Sequence, residues 1–161
     1  MKRYLIPFAV VLLLVGFCIW WYSPRQVIQR RTHSLLETLT FEKGGGLASR
    51  NMGGYTLHDL LAGEVQLVTP TIPEANGSFS RDDLEAAYSW LANQAKESRF
   101  EMDEIHDIAV QENAATVKFS LFGMVELPTY RPADGNYDVT FEWVKEEDGW
   151  KLARAVWDKR P

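Results

Sequence analysis

The chain has 161 residues, 46% of them hydrophobic and 12% aromatic, with 17 Lys/Arg against 22 Asp/Glu for a formal net charge of −5. This composition excludes a disordered tail, and residues 23–161 are long enough for one compact domain but short for two. They carry a formal −7, because Lys2 and Arg3 are the only charges ahead of them, and such a domain lacks the basic face of a nucleic-acid binder.

The chain opens with a three-residue tail, residues 1–3, followed by the uncharged run Tyr4 to Tyr22. As a helix this run reaches about 28 Å, close to the ~30 Å hydrocarbon core of a bilayer. Pro7 falls in the first turns, where a lost hydrogen bond is tolerated, and Trp20, Trp21 and Tyr22 suit a headgroup layer. A cleaved signal peptide needs small residues before the cut, whereas Ile19 to Tyr22 are bulky; Phe17 before Cys18 does not match a lipoprotein signal. The reading is a single-pass anchor over 4–22 in an inner or plasma membrane. Lys2 and Arg3 favour a cytoplasmic N-terminus, opposed by Arg25, Arg30 and Arg31 on the other flank; the short tail tips the expectation towards a domain outside the cytoplasm. Cys18, the only cysteine, permits no intrachain disulfide and no Cys-based metal site.

Ser23-Pro24 predicts a helix start, with Val27, Ile28, Leu35, Leu36 and Leu39 at helical spacing and Gly44-Gly45-Gly46 as its stop. The domain therefore begins almost at the membrane surface. Thr56 to Gly63 predicts a short helix, Val65 to Val68 a strand, and Pro70 to Gly77 a loop. Ser80 caps the clearest helix, with Asp83 at the third position and Leu84, Ala87, Tyr88, Leu91, Ala92 and Ala95 forming one apolar stripe. From Phe100 the period becomes two. Ile108 and Val110, then Val117, Phe119 and Leu121, alternate; Gly123 marks an expected bulge or bend; Tyr137, Val139, Phe141 and Trp143 form the inward face. Asp148-Gly149 turns the chain into a last strand from Trp150 to Trp157. The class is α+β, with helices on one face of a curved sheet.

Four segments carry a resemblance: Leu60 to Val68, Ser80 to Leu84, Asp107 to Val117, and Trp143 to Leu152. In order and spacing they resemble the nuclear transport factor 2-like superfamily, whose bacterial members include SnoaL-like domains. The resemblance spans most of residues 25–158 and implies a cone-shaped α+β roll, with three helices packed on a curved, mostly antiparallel sheet over 23–161. It implies a pocket at the open end, and functions that range from isomerases and dehydratases to modules that only bind or assemble.

An enzyme on this fold needs an acid or base in an apolar pocket. The candidates are His58 (beside Asp59), His106 (beside Asp107) and Asp158 near the expected rim. His58 and His106 have plainer readings, as a helix-surface residue and part of a solvated acidic edge; Asp158 is the carboxylate with the strongest claim to a site. Arg154, expected on one face with Trp150, Leu152 and Val156, could hold an anion or pair with a carboxylate. His33 lies beside Arg30 and Arg31 on the first domain helix. Tyr137, Phe141, Trp143 and Trp157 are the expected pocket residues; packed tightly, they fill the cone instead. No motif indicates a metal, a phosphate loop or any other cofactor. The sequence thus favours a membrane-anchored, non-enzymatic module that engages a partner protein or a small apolar ligand near the bilayer, in analogy with type IV secretion assembly proteins. The alternative is a SnoaL-like enzyme performing acid–base chemistry on an apolar small molecule. A homodimer is compatible with either, though Asp138, Thr140 and Glu142 make the expected outer face polar.

Overall fold

The computed structural model describes residues 5–69, 73–129 and 133–160. Helix α1, Leu5–Trp21, is followed by α2, Pro24–Leu39, and α3, Leu47–Leu60. Strand β1, Leu61–Val68, follows without a connection. A 3-10 turn at Pro73–Ala75 and a short strand β2, Gly77–Ser80, lead into α4, Arg81–Gln94. Four long strands complete the chain: β3 Glu97–Val110, β4 Ala114–Glu126, β5 Ala133–Glu146 and β6 Gly149–Lys159. They form one six-stranded sheet in the order β2-β1-β6-β5-β4-β3, antiparallel except where β1 runs parallel to β6. Helices α2, α3 and α4 cover one face.

Among the described residues no helix is long and apolar enough to cross a membrane. The expected span over 4–22 appears as the 17-residue α1, about 25 Å long against a ~30 Å hydrocarbon core; Tyr4 lies outside the described residues. The side chains described from Leu12 onward are exposed, among them Leu13 at 74%. Ser23 adopts an extended conformation that separates α1 from α2. Across this break the Arg30 guanidinium lies 4.2 Å from the Trp21 ring centroid and donates to the Trp21 carbonyl at 2.9 Å. A cation thus meets the negative end of α1.

Helix α2 ends at Leu39, ahead of the three glycines. Thr40 is extended, and Phe41 pairs with Ser98 through two backbone hydrogen bonds of 2.8 and 3.0 Å. Thr40 Oγ1 accepts from the Phe100 amide at 3.0 Å. Tertiary pairing with β3, rather than glycine, stops the helix. Gly44 takes φ +82° in the turn that follows, and Gly46 stands at the start of α3. The expected short helix at Thr56 is therefore the second half of a longer one, and Gly63 lies within β1. The segment ending at Gly77, expected to be loop, continues into β2, which pairs with β1 from Leu67↔Gly77 to Glu64↔Ser80. As its spacing predicts, α4 has a capping box: Ser80 Oγ accepts from the Asp83 amide at 3.2 Å while Asp83 accepts from the Ser80 amide at 3.3 Å.

Two buried cations fix the helical layer. Arg50 of α3 donates to the carbonyls of Ala95 (2.7 Å), Ala92 (3.3 Å) and Lys96 (3.2 Å) at the C-terminus of α4, and to Glu42 (2.7 Å) in the turn before α3. Lys151 of β6, 1% exposed, donates to the Asp59 carbonyl in the last turn of α3 at 2.7 Å and pairs with Asp148 at 2.8 Å. Arg31 of α2 reaches the same Asp59 carbonyl at 3.1 Å. Tyr88 of α4 donates to the Thr38 and Arg50 carbonyls at 3.2 and 2.7 Å. Its ring crosses α3 where a Cβ at Gly53 would lie 2.0 Å from the hydroxyl oxygen. Under this layer Ile28, Val65, Val117, Phe119, Leu121 and Trp143 are fully buried.

The bulges lie elsewhere than expected. Strand β4 pairs with β5 without interruption through Gly123↔Gly135. Register shifts leave Asp103 and His106 unpaired in β3 and Ala153 unpaired in β6. The Ala153 bulge reverses the alternation of β6. Leu152, Ala155 and Trp157 belong to the core, whereas Arg154 points to the opposite face and pairs with Glu142 at 2.8 Å. The expected common face of Arg154 and Leu152 is thereby corrected.

Gly53→Ala forces its methyl into the Tyr88 phenol. A denaturant melt should show a net loss of about 2 kcal/mol, the overpacking cost less the gain in helix propensity. In a cycle with Tyr88→Phe, which deletes the nearest atom, the coupling should exceed about 1 kcal/mol; simple additivity would refute the contact. The Asp148 carboxyl is held below its usual pKa chiefly by its hydrogen bond to Lys151. A depressed carboxylate contributes stability that is complete above the unfolded value of 3.8 and lost as pH falls through the folded one. Asp148→Asn should therefore flatten the acid limb of a stability–pH curve while leaving its alkaline limb unchanged.

Candidate functional site

Between the helices and the sheet the apolar side chains do not close completely. A cavity of about 300 Å³ remains. Leu35 and Leu39 of α2, Leu57 of α3, and Leu84, Ala87 and Leu91 of α4 form its helical wall. Leu61, Val65 and Leu67 of β1, with Phe141, Leu152, Ala155 and Trp157, form its floor. The α4 stripe read as core from its spacing thus divides: Ala92 and Ala95 are buried, while Leu84, Ala87 and Leu91 face the gap. Among the described residues Tyr88 is the only titratable one in this lining. Its hydroxyl is committed to the two carbonyls described above, and burial raises its pKa, with Arg50 opposing. It stays neutral and acts as a structural donor.

A second cavity of about 230 Å³ adjoins the first at Leu67 and Trp157. Phe100, Gly123, Val125, Ala133 and Tyr137 contribute to its wall. Trp157 stands edge-on to Phe100 and Tyr137, each at 5.8 Å between ring centroids. A Cβ at Gly123 would sit in ordinary contact with the Phe100 ring, at 3.4 Å. This outer cavity lies at the Ala133 end of β5. Helix α1 joins at the other end, where Arg31 rests against Gly149. A 14-residue strand separates the two ends by roughly 45 Å.

Of the expected pocket residues, Tyr137, Phe141 and Trp157 line these cavities. Trp143 lines neither; it is fully buried, and its indole N–H has no partner among the described residues. The three candidate acid–base residues lie outside both. His58 sits on the surface between α3 and α4, its Nδ1 2.7 Å from Glu85 and its Nε2 3.4 Å from Arg81. Asp59, its neighbour, is turned to Lys151 and Arg31. Asp158, expected at the rim, is exposed on β6 opposite Asp138 on the outer face of the sheet, because β5 and β6 pair there in register.

His106 occupies a β3 bulge and contacts Ser120 Oγ on that same outer face. Ser120 Oγ also donates to Asp138 at 3.4 Å and accepts from Arg160 at 2.8 Å, and Arg160 holds Asp138 at 2.7 Å. Here serine stands between histidine and aspartate. A nucleophilic triad needs histidine in the middle, its charge supported by the carboxylate. Ser120 is moreover 3% exposed, with Arg160 on its lone pair. The cluster ties the C-terminal end of β6 across β5 to β4. Among the described residues no three of His, Cys, Asp and Glu converge to hold a metal.

Sequence reasoning does not single out Leu57; the lining residues it reads only as apolar positions at helical spacing are Leu35, Leu39, Leu84, Ala87 and Leu91. Their spacing identifies an inward face, but spacing alone does not distinguish a filled interior from a lined cavity.

No family model and no curated protein matches the chain. Solved structures do. A nuclear transport factor 2 (NTF2-like) superfamily protein from Salmonella enterica subsp. enterica serovar Typhimurium str. LT2 superposes with a TM-score of 0.64 at 13% identity, over 85% of this chain and 91% of that one. A protein from Novosphingobium aromaticivorans, provisionally named an aromatic ring hydroxylase, gives 0.67 at 14% identity over 85% and 90%. One from Streptomyces avermitilis, provisionally named a dehydratase of the NTF2-like family, gives 0.60 at 18% identity over 83% and 94%. With helices on one face of a curved mixed sheet and an apolar cavity between them, the chain has the nuclear transport factor 2-like fold.

Proposed function

We propose that the chain is a non-enzymatic binding module that takes a small apolar ligand into the cavity between its helices and sheet and is held at a membrane by α1. The observation that carries this reading is the 300 Å³ cavity with aliphatic and aromatic walls. A cavity of half that volume, lined by similar side chains, stays dry and binds benzene. Helix α1 supports membrane attachment through its exposed apolar surface and through Trp20 and Trp21 beside Arg30, the residue types favoured at headgroup level. In this reading the domain lies on the extracytoplasmic side of the membrane.

A catalytic reading draws on the provisional names of two structural neighbours, a hydroxylase and a dehydratase. It would be an acid–base enzyme of the SnoaL-like kind. The described lining offers only the phenols of Tyr88 and Tyr137 for that chemistry, which does not favour it.

With the full chain in phosphatidylcholine nanodiscs, phenylnaphthylamine should gain fluorescence on binding. Ala87→Phe, which projects a ring into the cavity, should weaken this at least about tenfold, while the triple variant of His58, His106 and Asp158 to alanine stays within about twofold of the parent. Unchanged binding by Ala87→Phe would sink the cavity reading; loss of binding in the triple variant would move the site to the enzyme candidates. For the anchor, the full chain should sediment with membranes after a high-salt wash, and a chain starting at Ser23 should remain in the supernatant. Equal sedimentation of the two would remove α1 from that role.

A further inference from the structure

The two cavities differ in chemistry. The inner one is apolar, mostly aliphatic with Phe141 and Trp157 in its floor, and the Tyr88 hydroxyl at its wall is already hydrogen-bonded. Any polar group carried inside would lose its water without gaining a partner, so the part of a ligand that enters must be plain hydrocarbon. The outer cavity has aromatic walls and the Tyr137 hydroxyl, which makes no hydrogen bond to a described residue.

A basic residue lies across the strand pair from Tyr137. Lys159 pairs directly opposite Tyr137 across β5 and β6, so the two side chains leave the same face of the sheet. Both converge on Gly135, where a Cβ would lie 3.3 Å from Tyr137 Oη and 3.4 Å from Lys159 Cε. The missing side chain leaves room for the Lys159 stem beside the Tyr137 ring, at the margin of the outer cavity, whose described lining includes Tyr137 but not Lys159. Lys159 forms no ion pair with any described residue, although the chain as a whole carries an excess of acidic groups. Asp138 and Asp158, the nearest acidic residues in the strand register, leave the opposite face.

Resting on the apolar-ligand reading above, we propose that the two cavities are the tail and head compartments of one site for a straight-chain aliphatic carboxylate, with the tail in the inner cavity and the carboxylate held by Lys159 and Tyr137. Since about 150 Å³ accommodates benzene, the inner 300 Å³ accommodates a tail of roughly a dozen carbons. Among the described lining residues, Leu67 and Trp157 are the two shared by both spaces and stand between them. A polymethylene chain bends past such a partition, whereas a rigid polycycle spanning both spaces collides with it. The ammonium supplies a charge-assisted bond to the carboxylate and the phenol a second donor to its other lone pairs.

The test uses the full chain in phosphatidylcholine nanodiscs and dodecanoate labelled at its carboxyl carbon, with empty discs as the reference for lipid-dissolved acid. A separate bound carboxyl resonance should appear with the protein. Lys159→Met, a change at an exposed strand end, should weaken dodecanoate about tenfold and leave dodecanol, competed against phenylnaphthylamine, within about twofold. Equal loss of acid and alcohol, or no loss of either, overturns the carboxylate assignment while the apolar cavity stands. Failure of dodecanoate, dodecanol and phenylnaphthylamine alike to bind removes the cavity reading as well.

Discussion

The helical layer of this molecule depends on two buried cations at helix C-termini. Each helix end presents unpaired carbonyls and a partial negative charge of about half an electron. Arg50 meets four carbonyls, three at and beyond the end of α4 and one in the turn before α3, and Lys151, helped by Arg31, meets the last turn of α3. The two ties differ in kind. The planar fork of Arg50 addresses several carbonyls from one point and joins α3, α4 and the preceding turn, whereas the compact ammonium of Lys151 pins one carbonyl to the β5–β6 hairpin.

This arrangement accounts for the gap beneath the helices. At the α4 terminus the layer is positioned by directional polar bonds, and at the α3 terminus by ion pairs; between them the helical wall of the cavity is aliphatic apart from Tyr88. Protein interiors ordinarily close such gaps to crystal-like density. Here, sliding α4 towards the sheet would pull Ala92 and Ala95 from Arg50 and strand a buried charge, a cost larger than the dispersion energy that collapse would recover. Tyr88 strengthens the constraint, since its hydroxyl bridges α2 and α3 while its ring occupies the notch left by Gly53. The polar frame and the apolar cavity are thus two sides of one packing solution.

The outer face of the sheet follows a different logic. His106, Ser120, Asp138 and Arg160 satisfy one another across β3, β4 and β5, and Arg154 pairs with Glu142 nearby. Residue types associated with catalysis gather there, on the face away from the cavity. The strand candidates His106 and Asp158 thus lie on the face away from the cavity, because a one-residue bulge in β3 or β6 exchanges the two faces and nothing in the local composition announces it.

By itself the sequence determined the α+β class, the capped start of α4 at Ser80, the inward alternation of Tyr137, Val139, Phe141 and Trp143, and the apolar run that becomes α1. All of these arise from local periodicity and capping, which neighbouring residues settle among themselves. Tertiary structure decided where α2 stops, since Phe41 reaches Ser98 through pairing that no local signal encodes. It decided the face of Arg154 through the Ala153 bulge. It also decided that Leu84, Ala87 and Leu91 line a space rather than fill one. Whether an inward apolar face meets a neighbour depends on how far apart distant segments are held, and here that spacing is set by Arg50, Lys151 and Tyr88 acting across the fold.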